Sequence, residues 1–230
     1  MKIPYLGRMV RESTIATFRW ARDRARFNKL PPHHPARLLR AIGQNDLITA
    51  KELLAQGVSP DYTTDDFKHY FVDEDILGLI DGFSIAGFVP THYCARLKKN
   101  IDALLLLLDH GADIERVEMI QDGWDNYRTT ILGTAAFYGK IEAANLLIAR
   151  GADTNASKAP CPPLICALAG DYTNIEILRL LIDNGADVNR PGAWVKRMNE
   201  CVDTPLSLAS ELRRNRKTVL QLLKNAGAVH

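Results

Sequence analysis

The chain has 230 residues, 47% of them hydrophobic, with a formal net charge of +2. No apolar run approaches the length of about 18 residues that a membrane helix needs, and the first residues lack the charged, apolar, small-residue order of a secretory signal. Four cysteines (Cys94, Cys161, Cys166, Cys201) make no C-x-x-C pair, so the sequence reads as a reduced, soluble, cytoplasmic protein with no zinc site.

The charge is unevenly placed. Residues 1–40 carry ten Lys/Arg and two acidic residues, a balance of +8; the other 190 carry 19 and 25, a balance of −6. Ser13–Leu30 is expected to be a helix, with Ser13 as N-cap and Ile15, Phe18, Ala21 and Ala25 on one face. Arg19, Arg22, Arg24 and Arg26 make it basic. Three readings of it stay open: a cap on the fold that follows, a contact for nucleic acid or an anionic surface, and a mitochondrial presequence. Glu12 and Asp23 count against the last. Pro31-Pro32-His33-His34-Pro35 then ends the helix in a rigid joint. Its paired histidines have no third ligand at useful spacing and read as linker, not metal site. Residues 1–35 are thereby set apart from 36–230.

From residue 36 onward one pattern recurs, and Thr130–Asn155 is its clearest copy. Ile131, Leu132, Ala135 and Ala136 line a first short helix; Ile141, Ala144, Leu147 and Ile148 line a second after Gly139. Gly151 sits where a left-handed C-cap is wanted, before the polar turn Ala152-Asp153-Thr154-Asn155. Similar endings stand at Leu53–Asp61, Leu107–Glu115, Leu181–Asn189 and Leu222–Val229. Helices this short cannot bury their apolar faces alone, so the copies must stack.

These endings, with Thr204-Pro205-Leu206 opening the last unit, resemble the ankyrin repeat family. The resemblance implies an all-α fold: a solenoid of stacked helix pairs with short β-hairpin or loop insertions, capped by the N-terminal helix. The repeats fall near 36–61, 90–115, 130–155, 162–189 and 204–230. Asn45 holds in the first the inter-helix place that Gly139 holds in the third, and Lys99 holds it in the second. The family's helix-start histidine is expected to be missing, since Tyr93, Gly133 and Ser207 stand near its position. Arg213, Arg214, Arg216 and Lys217 on the last unit read as a solvated end face.

The turn glycines at 57, 111, 151, 185 and 227 are spaced by 54, 40, 34 and 42 residues. Against a period of about 33, residues 62–89 hold a long insertion of roughly 21 residues, with roughly 7 extra before the third repeat and roughly 9 before the fifth. The extra length falls where ankyrin-like stacks carry their hairpin tips, beside the concave face, and is expected to be functional. Nine of 17 aromatic residues lie in these insertions: Tyr62, Phe67, Tyr70, Phe71, Phe83, Phe88, Trp124, Tyr127 and Trp194, with Met119 and Met198 close by. Such rings either pack on their own scaffold or anchor a partner. Trp124, Tyr127, Trp194, Met198, Tyr62 and Tyr70 are the candidate anchors. The first insertion is also acidic, and Asp65, Asp66, Asp73, Glu74 and Asp75 are either a solvated edge or contacts for a basic partner. Its later half, apolar around Asp81-Gly82, reads as a hairpin that either folds over the first two repeats or contacts the partner.

No catalytic pattern is present: no G-x-S-x-G, no glycine-rich phosphate loop, no H-E-x-x-H and no calcium-loop spacing. No cofactor is expected. The leading expectation is a monomeric, non-catalytic protein–protein interaction module for one basic partner, of inhibitor or immunity type, or an effector or adaptor. The alternative is a nucleic-acid or anionic-surface binder working through Arg19, Arg22, Arg24 and Arg26.

Overall fold

The computed structural model describes residues 30–62, 89–96, 100–122, 125–170, 173–196 and 199–229. The basic helix expected within residues 13–29 and the hairpin around Asp81-Gly82 lie outside them. Ten described helices fall into five consecutive pairs: α1 (Pro35–Gly43) with α2 (Leu47–Ala55), α3 (Pro90–Arg96) with α4 (Ile101–Asp109), α5 (Ile131–Phe137) with α6 (Ile141–Ala149), α7 (Pro163–Ala169) with α8 (Ile175–Asp183), and α9 (Pro205–Glu211) with α10 (Arg216–Asn225). Each first helix touches the next first helix, and α2, α4, α6 and α8 touch in the same succession. The result is a helical repeat solenoid.

The first helices lie deepest. All seven residues of α5 are buried, as are six of the seven in α3 and α7. Alanine and cysteine at Cys94, Ala95, Ala135, Ala136, Cys166 and Ala167 let these helices approach closely enough to cover one another. The second helices bury one stripe each, such as Ala143, Ala144 and Leu147 on α6. Leu38 and Ile42 of α1 join the same core as Val219 and Leu223 of α10, so one apolar interior runs the length of the array.

The Gly-Ala-Asp endings explain how repeats lock in register. Gly57, Gly111, Gly151, Gly185 and Gly227 all take φ between +85° and +94°. The aspartate that follows bends its own turn: Asp113, Asp153 and Asp187 accept the N–H of Glu115, Asn155 and Asn189, each at 2.9 Å. The last side chain of each ending reaches the next repeat. Asp61 accepts from Asp113 N–H, Glu115 from Asp153, Asn155 from Asp187 and Asn189 from Val229, at 2.7–2.8 Å. Gly151→Val should therefore cost about 1–3 kcal/mol, because a β-branched residue is strained at this φ and the ladder beyond it must shift. The urea midpoint measures it; no change would mean the turn tolerates another conformation.

One expectation is corrected. His92 is the third residue of α3, as Gly133 is of α5 and Ser207 of α9, so the second repeat does hold the helix-start histidine. Tyr93 is one residue past it. The buried ring makes Nδ1–Thr134 Oγ1 at 2.6 Å and Nε2–Arg116 O at 3.0 Å, tying α3 to α5. A carbonyl only accepts, so Nε2 carries the proton and the Thr134 hydroxyl donates to Nδ1.

Candidate functional site

Two of the insertions build one structure. β1 (Val117–Asp122) and β2 (Asp125–Thr130) form an antiparallel ribbon ahead of α5; β3 (Gly192–Lys196) and β4 (Asn199–Asp203) form another ahead of α9. The ribbons pair through β2 and β3, at Asp125↔Lys196 and Asn126↔Val195, giving a four-stranded sheet in the order β1-β2-β3-β4. Beyond that pairing the loop at 160–161 sits between them. Ala193 N–H donates to Pro160 O at 2.9 Å, Cys161 N–H to Arg128 O at 3.1 Å, and Thr129 Oγ1 to Cys161 O at 2.7 Å.

Strand alternation splits the sheet into two faces. The inner face carries Ile120, Tyr127 and Trp194, each no more than 7% exposed. Tyr127 and Trp194 stack with ring centroids 5.0 Å apart and planes 12° from parallel, and Phe137 of α5 meets Tyr127 at 5.2 Å. Trp194 Nε1 donates to Asp203 Oδ2 at 2.9 Å, so the indole is satisfied within its own hairpin. The outer face carries Met119 opposite Arg128 and Ala193 opposite Val202. Met119 is 47% and Val202 70% exposed, two of only four large hydrophobic side chains so placed among the described residues. They sit on the two edge strands, β1 and β4.

The root of the first ribbon is polar and buried. Glu118 Oε1 accepts from Val89 N–H at 2.9 Å, and its Oε2 lies 3.5 Å from His92 Nδ1. Burial pushes the Glu118 carboxyl up to about 8, with the Val89 bond, Arg116 and Arg96 acting against it. Burial lowers His92 to about 4. Both groups are neutral at pH 7, so the contact is a neutral polar junction and not an ion pair, despite its ion-pair distance.

The sequence-derived site residues are placed as follows. Tyr127 and Trp194 come together, but face inward. Tyr62 is 6% exposed and belongs to the same core, where burial raises its phenol well above the ordinary range. These three rings are spent on the scaffold, which corrects the expectation that they present themselves as anchors. Trp124, Met198, Tyr70, Asp65, Asp66, Asp73, Glu74 and Asp75 lie outside the described residues, as do Arg19, Arg22, Arg24 and Arg26. Met119, Arg128 and Val202 were not among the candidates. Strand alternation puts Ile120 and Tyr127 on one face and Met119 and Arg128 on the other, but the residue types do not say which face turns inward. Among the described residues no cluster of His, Cys, Asp or Glu could hold a metal ion, and no helix is long and apolar enough to cross a membrane.

A family model described as ankyrin repeats (3 copies) matches residues 37–158, 92–192 and 134–229. A search of curated proteins finds no match.

Proposed function

The chain belongs to the ankyrin repeat family, and on that premise we propose a non-catalytic interaction module that grips one protein partner through the outer face of its four-stranded sheet. The observation that carries this reading is the exposure of Met119 and Val202 on that face. Neither side chain fills a gap in the scaffold, and Met is among the residues enriched at interface cores. The inner face is fully occupied by Ile120, Tyr127 and Trp194, so the sheet is held rigid behind its exposed surface.

The partner's contact surface is proposed to be basic. Support comes from the composition of the first insertion, which holds Asp65, Asp66, Asp73, Glu74 and Asp75 with Lys68 as its one Lys or Arg, and from the −6 balance after residue 40. Blocking such a partner is the simplest role for a short array decorated on one side, which makes the protein an inhibitor of immunity type.

The test is to isolate the partner that co-purifies at stoichiometric level and titrate it with Met119→Asp and Val202→Asp. Each change should weaken binding by about 2 kcal/mol or more and leave stability within about 0.5 kcal/mol. Unchanged affinity for both variants overturns the outer-face assignment. Titration on nucleic acid at rising salt examines the Arg-rich N-terminus. Tight binding with a steep salt slope would favour that segment as the functional one.

A further inference from the structure

Two thiols meet where the sheet joins the helical stack. Cys161 Sγ and Cys166 Sγ are 3.3 Å apart, and both residues are fully buried. Cys161 lies in the loop that accepts both ribbons: its N–H binds Arg128 O of β2, its carbonyl takes the Thr129 hydroxyl, and its neighbour Pro160 takes Ala193 N–H of β3. Cys166 is the fourth residue of α7, at the centre of the core. A disulfide has its sulfurs about 2.05 Å apart, so closure needs the pair to approach by only about 1.3 Å.

We propose that Cys161 and Cys166 are a redox-active dithiol, which closes to an intrachain disulfide under peroxide and latches the sheet-bearing loop onto α7. The step balances with hydrogen peroxide as oxidant. One sulfur attacks a peroxide oxygen and becomes S–OH as water leaves. The second sulfur attacks the first, and its proton departs with the hydroxyl as a second water. Two thiols are oxidised by two electrons, and one peroxide is reduced. The thiols face no bulk solvent, so peroxide must enter through local opening of the loop at 157–162. Contact with Cys166 and burial both hold the Cys161 thiol above its ordinary range. Closure is therefore slow at neutral pH and faster as pH rises.

The experiment treats the full chain with hydrogen peroxide in native buffer, blocks the remaining thiols by alkylation after unfolding, and maps the cross-link by peptide mass. The expected product joins Cys161 to Cys166, leaves Cys94 and Cys201 alkylated, and is absent from Cys166→Ser. Should that variant fail to fold, Cys161→Ser serves in its place. Hydrogen exchange at the Cys161 and Ala193 amides should slow several-fold in the oxidised protein, since both donate into the latched junction. A cross-link that appears only in urea, or one joining other cysteines, overturns the proposal. So does a Cys161–Cys166 bond that leaves exchange at those two amides unchanged.

Discussion

The native protein is expected to lose stability between pH 6.5 and 8, and Glu118→Gln to remove that loss. The folded carboxyl titrates at about 8 against an ordinary value of 4.5, so over that interval the folded state keeps a proton that the unfolded chain gives up. Stability from this group is full below pH 4.5 and is lost as pH rises through 8. His92 acts in the opposite sense. Its folded value of about 4 lies below the ordinary 6.5, so stability falls as pH drops from 6.5 toward 4. Between about 4.5 and 6.5 the two slopes cancel. Above 6.5 only Glu118 still titrates, and each pH unit costs about 1.4 kcal/mol, roughly 2 kcal/mol by pH 8. Glutamine keeps the acceptor for Val89 N–H and has no proton to lose. The variant should thus rise in stability from pH 4 to 6.5 and then stay level, while the native chain turns down. Urea midpoints across this range decide it. Parallel curves for the two proteins would show that Glu118 is not the titrating group.

The fold was legible in the sequence because its signals are local. Gly151 and its four counterparts announce a left-handed turn through residue type alone, and each lies four residues after an apolar stripe. Asn45 was readable as a substitute for Gly139 for the same reason, and its φ of +56° matches the role. His92 was misplaced because Val89-Pro90-Thr91 replaces the Thr-Pro-Leu that would have fixed the register, and a shift of one residue makes Tyr93 the motif position. The sheet was not legible. β2 and β3 are separated by four helices, α5 to α8, and they meet only because α5, α7 and α9 stack side by side. No period in either insertion records that geometry. The direction in which Tyr127 and Trp194 point follows from the pairing, so their burial was hidden with it.

Trp194→Ala should destabilise the protein by about 3–5 kcal/mol and leave the affinity of the folded fraction unchanged. The side chain is 7% exposed, stacks on Tyr127 and hydrogen-bonds the half-buried Asp203, so truncation opens a cavity and removes one of that carboxylate's donors. Trp194→Phe separates the two losses. It keeps a ring against Tyr127 while removing the indole N–H and part of the ring volume, at a cost of about 1–3 kcal/mol. Tyr127→Ala should cost a comparable amount to Trp194→Ala, and the double variant should fall short of additivity by about 0.5–1.5 kcal/mol, the worth of the stacked pair. Only two residue pairs join β2 to β3, so the ribbons should part when the stack is lost, and amide exchange at Asn126 and Val195 should accelerate. Met119→Asp is the matching control from the other face, with stability kept and affinity lost. If Trp194→Ala instead left the urea midpoint in place and abolished partner binding, the indole would be a partner contact after all. The sheet would then have to turn its inner face outward when the partner binds.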